Sequence, residues 1–213
     1  MFPYAADALF AFLEEYNLAL WPGQILALLL ALAALAFVLR PRTGSGRIVG
    51  AILSASWLSS GILYYLLYLS EIDFVAPLFA LALIAQGLLL VWEGTIRGRL
   101  SFAFRRDWSG WAALALVCAA LLYEPLIALL DGQDWLAVRV VGLAPAPTMV
   151  FTFGLLLLAE RAGLYLLVIP ILWSISALAL AWFLGIPADL VLPLAGIAAG
   201  LLIVWRRMHR LRV

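Results

Sequence analysis

The sequence predicts an all-α integral membrane protein: a bundle of seven transmembrane helices, the fifth short and interrupted by proline, preceded by an N-terminal interfacial helix. Three observations carry this. Of 213 residues, 67% are hydrophobic and 12% charged, whereas a soluble domain is about half apolar and a quarter charged. A soluble monomer of this composition would expose large apolar patches to water. Apolar stretches recur at lengths that match a bilayer core about 30 Å thick at about 1.5 Å rise per residue. The charges then sort to alternate loops.

The first 17 residues lack the positive leader of a secretory signal and carry Asp7, Glu14 and Glu15 instead. Leu9, Phe10, Phe12, Leu13 and Tyr16 supply one apolar face, as expected of a short helix lying on the periplasmic surface. Spans follow near 19–39, 48–69, 74–95, 108–130, 143–159, 163–184 and 187–205. Residues 18–206 thus form the bundle, and 207–213 a basic cytoplasmic tail. The segment 41–47 reads as a flexible cytoplasmic loop.

The fifth span is the least regular, because Pro145 and Pro147 fall within it. Each proline removes a donor and crowds the preceding turn. The spacing therefore predicts non-helical backbone over 142–148, with the helix starting around Pro147. Such backbone must be buried in protein or line a wet cavity, unless the loop only dips below the headgroups.

Charge placement supports seven spans. With them, twelve of the thirteen arginines lie on one side, and Arg139 is the exception. Asp7, Glu14, Glu15, Glu71, Asp73, Asp131, Asp134 and Asp189 lie on the other. By the positive-inside rule the N-terminus is periplasmic and the C-terminus cytoplasmic, in a bacterial inner membrane. Omitting the fifth span would move Arg161 and the C-terminal arginines outside. Trp21, Trp135 and Trp182 fall at the outer interface, and Trp92, Trp108, Trp111 and Trp205 at the inner one. That is the pattern of two aromatic belts. Trp57 and Trp173 fall mid-span and are expected to pack between helices.

Several chemistries are excluded. Cys118 is the single cysteine, so no internal disulfide and no CxxC metal or redox pair exists. The sole histidine, His209, lies in the tail, out of reach of any intramembrane serine. There is no lysine, hence no Schiff base and no Walker lysine. No cofactor is expected, and an enzyme is disfavoured. The tail arginines point to anionic lipid rather than nucleic acid. The expected partners are membrane lipids, with partner membrane subunits or further copies of the chain as additional candidates.

Three features remain as candidates for function. Glu124, in the run Tyr123-Glu124-Pro125, lies one and a half to two turns below the outer end of span four. Either it marks a polar site in the outer leaflet, or it bends to the interface or the helix stops at Pro125. The start of span five near Thr148 carries roughly half a positive charge and would suit the Glu124 carboxylate or an anionic ligand group. Ser56, Ser60, Tyr64 and Tyr68 recur at i, i+4 on one face of span two. They serve either as helix-packing contacts, as Gly46, Gly50 and Ser54 do lower down, or as a polar lining. Gln86, Ser174 and Ser176 are further interior polar groups. The pocket predicted from these residues faces the periplasm and joins Glu124, Tyr123, Thr148, Gln24, Tyr64 and Tyr68 as substrate-binding residues.

The order Tyr16-Asn17-x-x-x-Trp21-Pro22-x-Gln24, then Phe104-Arg105-Arg106-Asp107 with Gly110-Trp111, then Ala144-Pro145-Ala146-Pro147-Thr148 through Gly154, and Val168-Ile169-Pro170-x-x-Trp173, resembles an uncharacterised bacterial membrane family, domain of unknown function 6064. The likeness covers nearly the whole chain and implies a small multi-pass protein without supplying an activity. Family members carry cysteine between the two prolines. Ala146 stands there in this chain, which argues against thiol or soft-metal chemistry. The leading expectation is a small-solute transporter or channel-like protein. The alternatives are a non-catalytic accessory or assembly subunit of a larger membrane complex, and a lipid- or quinone-binding membrane protein.

Overall fold

The computed structural model describes residues 6–131 and 135–210. It is helical apart from one small ribbon. The chain runs α1 (Ala6–Ala19), α2 (Gly23–Leu39), α3 (Ser45–Ser59), α4 (Ala76–Leu90), β1 (Ser101–Phe102), α5 (Trp108–Asp131), α6 (Pro145–Leu158), β2 (Ala159–Arg161), α7 (Val168–Leu184) and α8 (Ala188–Arg210). α3 and α4 widen at their ends into π-helix, over Ser60–Tyr68 and Val91–Ile96. β1 and β2 pair antiparallel, an addition to the expected all-α class. Residues 1–5 of the N-terminal segment and 211–213 of the tail lie outside the described residues.

Among the described residues, five helices are long and apolar enough to cross a membrane: Ser45–Glu71, Ala76–Ile96, Trp108–Leu130, Leu164–Leu184 and Ala188–Met208. A sixth arises if Ala11–Ala19 and Gly23–Leu39, which meet at 84°, count as one bent span. Pro145–Leu158 is apolar but shorter.

Hydrogen bonds gather the chain into two ends. At the basic end β1 pairs with β2, the Ala103 N–H donates to Leu158 O at 3.2 Å, and the Arg105 and Arg206 guanidinium groups donate to Leu157 O at 3.1 and 3.2 Å. Those arginines cover carbonyls at the C-terminus of α6, where the helix dipole favours cations. Asp107 caps α5 there, its Oδ1 accepting from the Gly110 N–H at 2.8 Å. Gly110 is required because a Cβ would lie 1.8 Å from the Arg105 carbonyl oxygen. At the acidic end the Tyr16 hydroxyl donates to Leu143 O at 2.7 Å, and the Asn17 amide to Val138 O at 3.0 Å.

α6 is the axis of the bundle. Every residue from Pro147 to Leu158 is buried, and so is Pro145. A helix apolar on all sides belongs inside a core. Its 14 residues span about 21 Å, less than a bilayer core, and burial in protein removes the need to match one. The proline expectation is corrected here. The helix begins at Pro145, not near Pro147, and non-helical backbone is confined to the residues before it. Both prolines fit because Pro145 is the first helical residue and Pro147 the third, where the N–H groups have no intrahelical acceptor.

α3 and α4 pack through small residues. A Cβ at Gly50 would come within 2.7 Å of Gly94 Cα, and the Ser54 hydroxyl donates to Gly87 O at 2.9 Å. This is the close contact that small-xxx-small spacing permits. Trp57 and Trp173 are buried between helices, whereas the seven interfacial tryptophans are exposed or half-buried. α1 departs from the expected arrangement. Leu9, Leu13 and Tyr16 are buried, with Tyr16 against Tyr64 and Tyr68, so its apolar face covers the bundle rather than facing lipid.

Candidate functional site

The acidic end holds a cavity of about 400 Å³. The π segment supplies Tyr64 and Tyr65, the segment before α4 supplies Asp73, and α4 supplies Phe79. Pro145 and Ala146 at the start of α6 form part of its wall, Trp173, Ser176 and Ala177 line it from α7, and Arg139 and Asp189 close the polar side.

The aromatic wall is fixed by hydrogen bonding and ring contact. The Trp173 indole N–H donates to the Tyr65 hydroxyl at 2.8 Å, and Tyr65 stacks on Phe79 with centroids 5.5 Å apart. Tyr64 meets Tyr65 edge to face at 5.2 Å and is backed by Tyr16 at 5.4 Å. The consecutive tyrosines reach the same cavity from a π-helix, a rare form frequent at functional sites.

The polar side is an ion triad. Arg139 Nε donates to Glu124 Oε2 at 3.0 Å and Nη1 to Asp189 Oδ2 at 3.0 Å, while Nη2 completes a fork on Asp189 Oδ1. The Arg139, Glu124 and Asp189 side chains are only 15%, 8% and 15% exposed. Burial lowers the Arg139 pKa, but Glu124 and Asp189 outweigh it and hold the guanidinium well above its ordinary value. Glu124 Oε1 is buried with no hydrogen-bond partner. Asp73 is also buried, its Oδ1 accepting from the Val75 N–H at 2.9 Å.

Of the six residues predicted to share a pocket, Tyr64 lines this cavity. Glu124 stands behind it, joined through Arg139. α5 does not stop at Pro125 but continues to Asp131, and Glu124 turns inward. Its expected partner, Thr148, is occupied elsewhere. Thr148 Oγ1 accepts from the Gly142 N–H at 2.7 Å and donates to Ala144 O at 2.6 Å, pinning the turn before α6. Tyr123 donates to Ala188 O at 2.7 Å, Gln24 to Asn17 O at 2.7 Å, and Tyr68 packs on Tyr16. These four do not line the cavity.

Asp73, Asp189, Tyr65 and Trp173 are not recognisable as a group from the sequence alone. Arg139 carried the one available signal, as the sole arginine on the acidic side. Among the described residues, no three or more His, Cys, Asp or Glu are placed to hold a metal ion. An apolar cavity with a few converging polar groups is the usual form of a small-molecule site.

Fold and cavity together define an all-α protein with helices of membrane-crossing length and one aromatic-walled site at its acidic end. The chain belongs to the family of unknown function DUF6064, which matches residues 6–212. No curated protein and no solved structure matches it.

Proposed function

We propose that the chain is an integral protein of the bacterial inner membrane, crossing it seven times with its N-terminus in the periplasm and its C-terminus in the cytoplasm. Its function is to bind a small solute in a cavity open to the periplasmic side. The observation that carries this reading is the cavity of about 400 Å³ among the acidic loops. The positive-inside rule makes that end periplasmic. α6 and the bent α1–α2 pair supply the two spans beyond the five long helices. α6 is acceptable as a span because it is sheathed by protein, and its leading backbone is not left to lipid.

A carrier or binding role is favoured over an open pore. The axis of the bundle is filled by Met149, Phe151, Phe153 and Trp57, each at most 1% exposed. A solute entering the cavity meets packed side chains rather than a continuous water path.

Cysteine labelling tests both parts. In a Cys118→Ser background, Glu71→Cys and Ala177→Cys in intact cells should react with a small membrane-impermeant thiol reagent. Thr43→Cys should react only after permeabilisation. Reaction of Thr43→Cys in intact cells would reverse the orientation. A reactive Glu71→Cys beside an inert Ala177→Cys would show that the cavity does not open outward.

A further inference from the structure

We infer that the cavity is selective for amphipathic organic cations. This rests on the reading above, that the cavity takes a small solute, and adds the chemistry of that solute.

Two carboxylates, Asp73 and Asp189, line the cavity with one guanidinium, Arg139, and a third, Glu124, stands behind the wall bonded to that guanidinium. At the wall itself two carboxylates face the cavity with one guanidinium, an excess of one negative charge that Glu124 behind it does nothing to offset. Asp73 is only 7% exposed and the Asp189 side chain 15%, so water screens little of that excess. Arg139 has little to offer an anion, because Nε is held by Glu124 and both terminal nitrogens by Asp189. An incoming anion would meet Asp73 and Asp189 at the wall; an incoming cation would reduce the excess.

The rest of the wall fits the same ligand class. Tyr64, Tyr65, Phe79 and Trp173 present aromatic surface beside the acids. Aromatic faces attract organic cations through the ring quadrupole, most strongly where water is excluded. They also bury the apolar body of such a molecule. A small hydrated metal ion would gain nothing from these walls, and a neutral lipid would leave the charge excess unmet. A cation delocalised over or surrounded by hydrocarbon satisfies both parts. The acidic loops around the mouth would also raise its local concentration.

The test uses two ions of nearly the same shape and opposite charge, tetraphenylphosphonium and tetraphenylborate. Saturable binding of each is measured by titration calorimetry on the full chain in a neutral detergent. The phosphonium should bind at least about tenfold more tightly than the borate. Asp73→Asn should weaken phosphonium binding by about tenfold. It preserves shape, and its side-chain oxygen can still accept from the Val75 N–H. Glu71→Gln, an exposed neighbour outside the cavity wall, should leave binding unchanged.

Equal or tighter borate binding would overturn the proposal, as would phosphonium binding indifferent to Asp73→Asn or equally weakened by Glu71→Gln. If Asp73→Asn does not fold, the comparison of the two ions on the native chain decides alone. Borate binding that is lost when Ala177→Cys is modified would sink cation selectivity and leave the solute-binding reading standing. Absence of binding by either ion sinks the cation proposal. An Ala177→Cys inert to outside reagent would then remove the solute-binding reading too.

Discussion

Removing Arg139 should be among the most damaging single changes to the acidic end of this protein. Its guanidinium contacts Glu124 at 3.0 Å and forks onto Asp189, with all three side chains at most 15% exposed. Arg139→Met keeps most of the volume and deletes the charge, leaving two carboxylates without their cation. Breaking a buried pair from one side costs about 3–5 kcal/mol, because the remaining charge is uncompensated. The triad sits near the upper part of that range, since one deletion strands two partners. Glu124→Gln should cost less, because Asp189 still neutralises Arg139 and the amide oxygen still accepts from Nε. The triple variant Arg139→Met/Glu124→Gln/Asp189→Asn removes every member at once. It should recover much of the Arg139→Met loss, since the three groups act as a unit. Reversible unfolding in mixed micelles, followed by tryptophan fluorescence, measures each value. An Arg139→Met loss below about 1 kcal/mol, the scale of exposed ion pairs, would refute the reasoning. So would a triple variant weaker than Arg139→Met by the sum of the other two losses.

Gly50→Leu should destabilise by at least about 1–3 kcal/mol through overpacking, because even its Cβ would collide with Gly94 Cα at 2.7 Å; micelle unfolding reads the loss. Asp107→Ala should cost about 1 kcal/mol as a lost helix cap. Asp107 also predicts a pH dependence. The Ser109 hydroxyl, the Gly110 N–H and nearby arginines hold its carboxyl below the ordinary value, although burial opposes them slightly. Its contribution is therefore full above the unfolded carboxylate pKa and fades as pH falls through the lower folded one. A titration of stability should lose this acid-side component in Asp107→Asn, which keeps a cap without the charge. Trp57→Phe should cost about 1 kcal/mol by removing the hydrogen bond its indole donates to Thr152 Oγ1 at 2.9 Å, again read by micelle unfolding.

The parts of the fold legible in the sequence are those governed by composition and one-dimensional spacing. Apolar run lengths located the helices within a few residues, because long uninterrupted apolar runs fit helices and the polar breaks between them fit turns. Gly50 and Ser54 announced the α3–α4 contact, and Gly46 a close approach to the Leu100 backbone, since only small residues let two backbones approach so closely. The π-helix at Ser60–Tyr68 left no such trace. Its wider turn comes from packing, and i, i+4 spacing reads much the same in either helix. The proline pair was informative but misread by two residues, because the tolerance of a helix's first turn extends through Pro147. The site was least legible because its groups come from separate elements. Asp73, Arg139 and Asp189 are widely separated in the chain and come to line one cavity only when the turns at the acidic end fold together. Arg139, out of place by the charge rule, was the residue whose position demanded a partner.

That misplaced arginine follows from the architecture of the centre. α6 is short and buried along nearly its whole length, so the approaching chain must enter the bundle before the helix starts at Pro145. A segment entering the bundle carries backbone groups that the apolar interior cannot satisfy. The turn resolves its own: Gly142 adopts φ +90°, its N–H donates to Thr148 Oγ1, and Ala144 O accepts from the Thr148 hydroxyl. Arg139 lies just ahead of this turn and is carried inward with it. There its charge can persist only beside carboxylates, which Glu124 of α5 and Asp189 of α8 provide. The same entry leaves space above the start of α6, where Pro145 and Ala146 line the cavity. A short central helix, a buried ion triad and a cavity thus have one common origin. Lengthening α6 at its N-terminus should therefore disturb all three together.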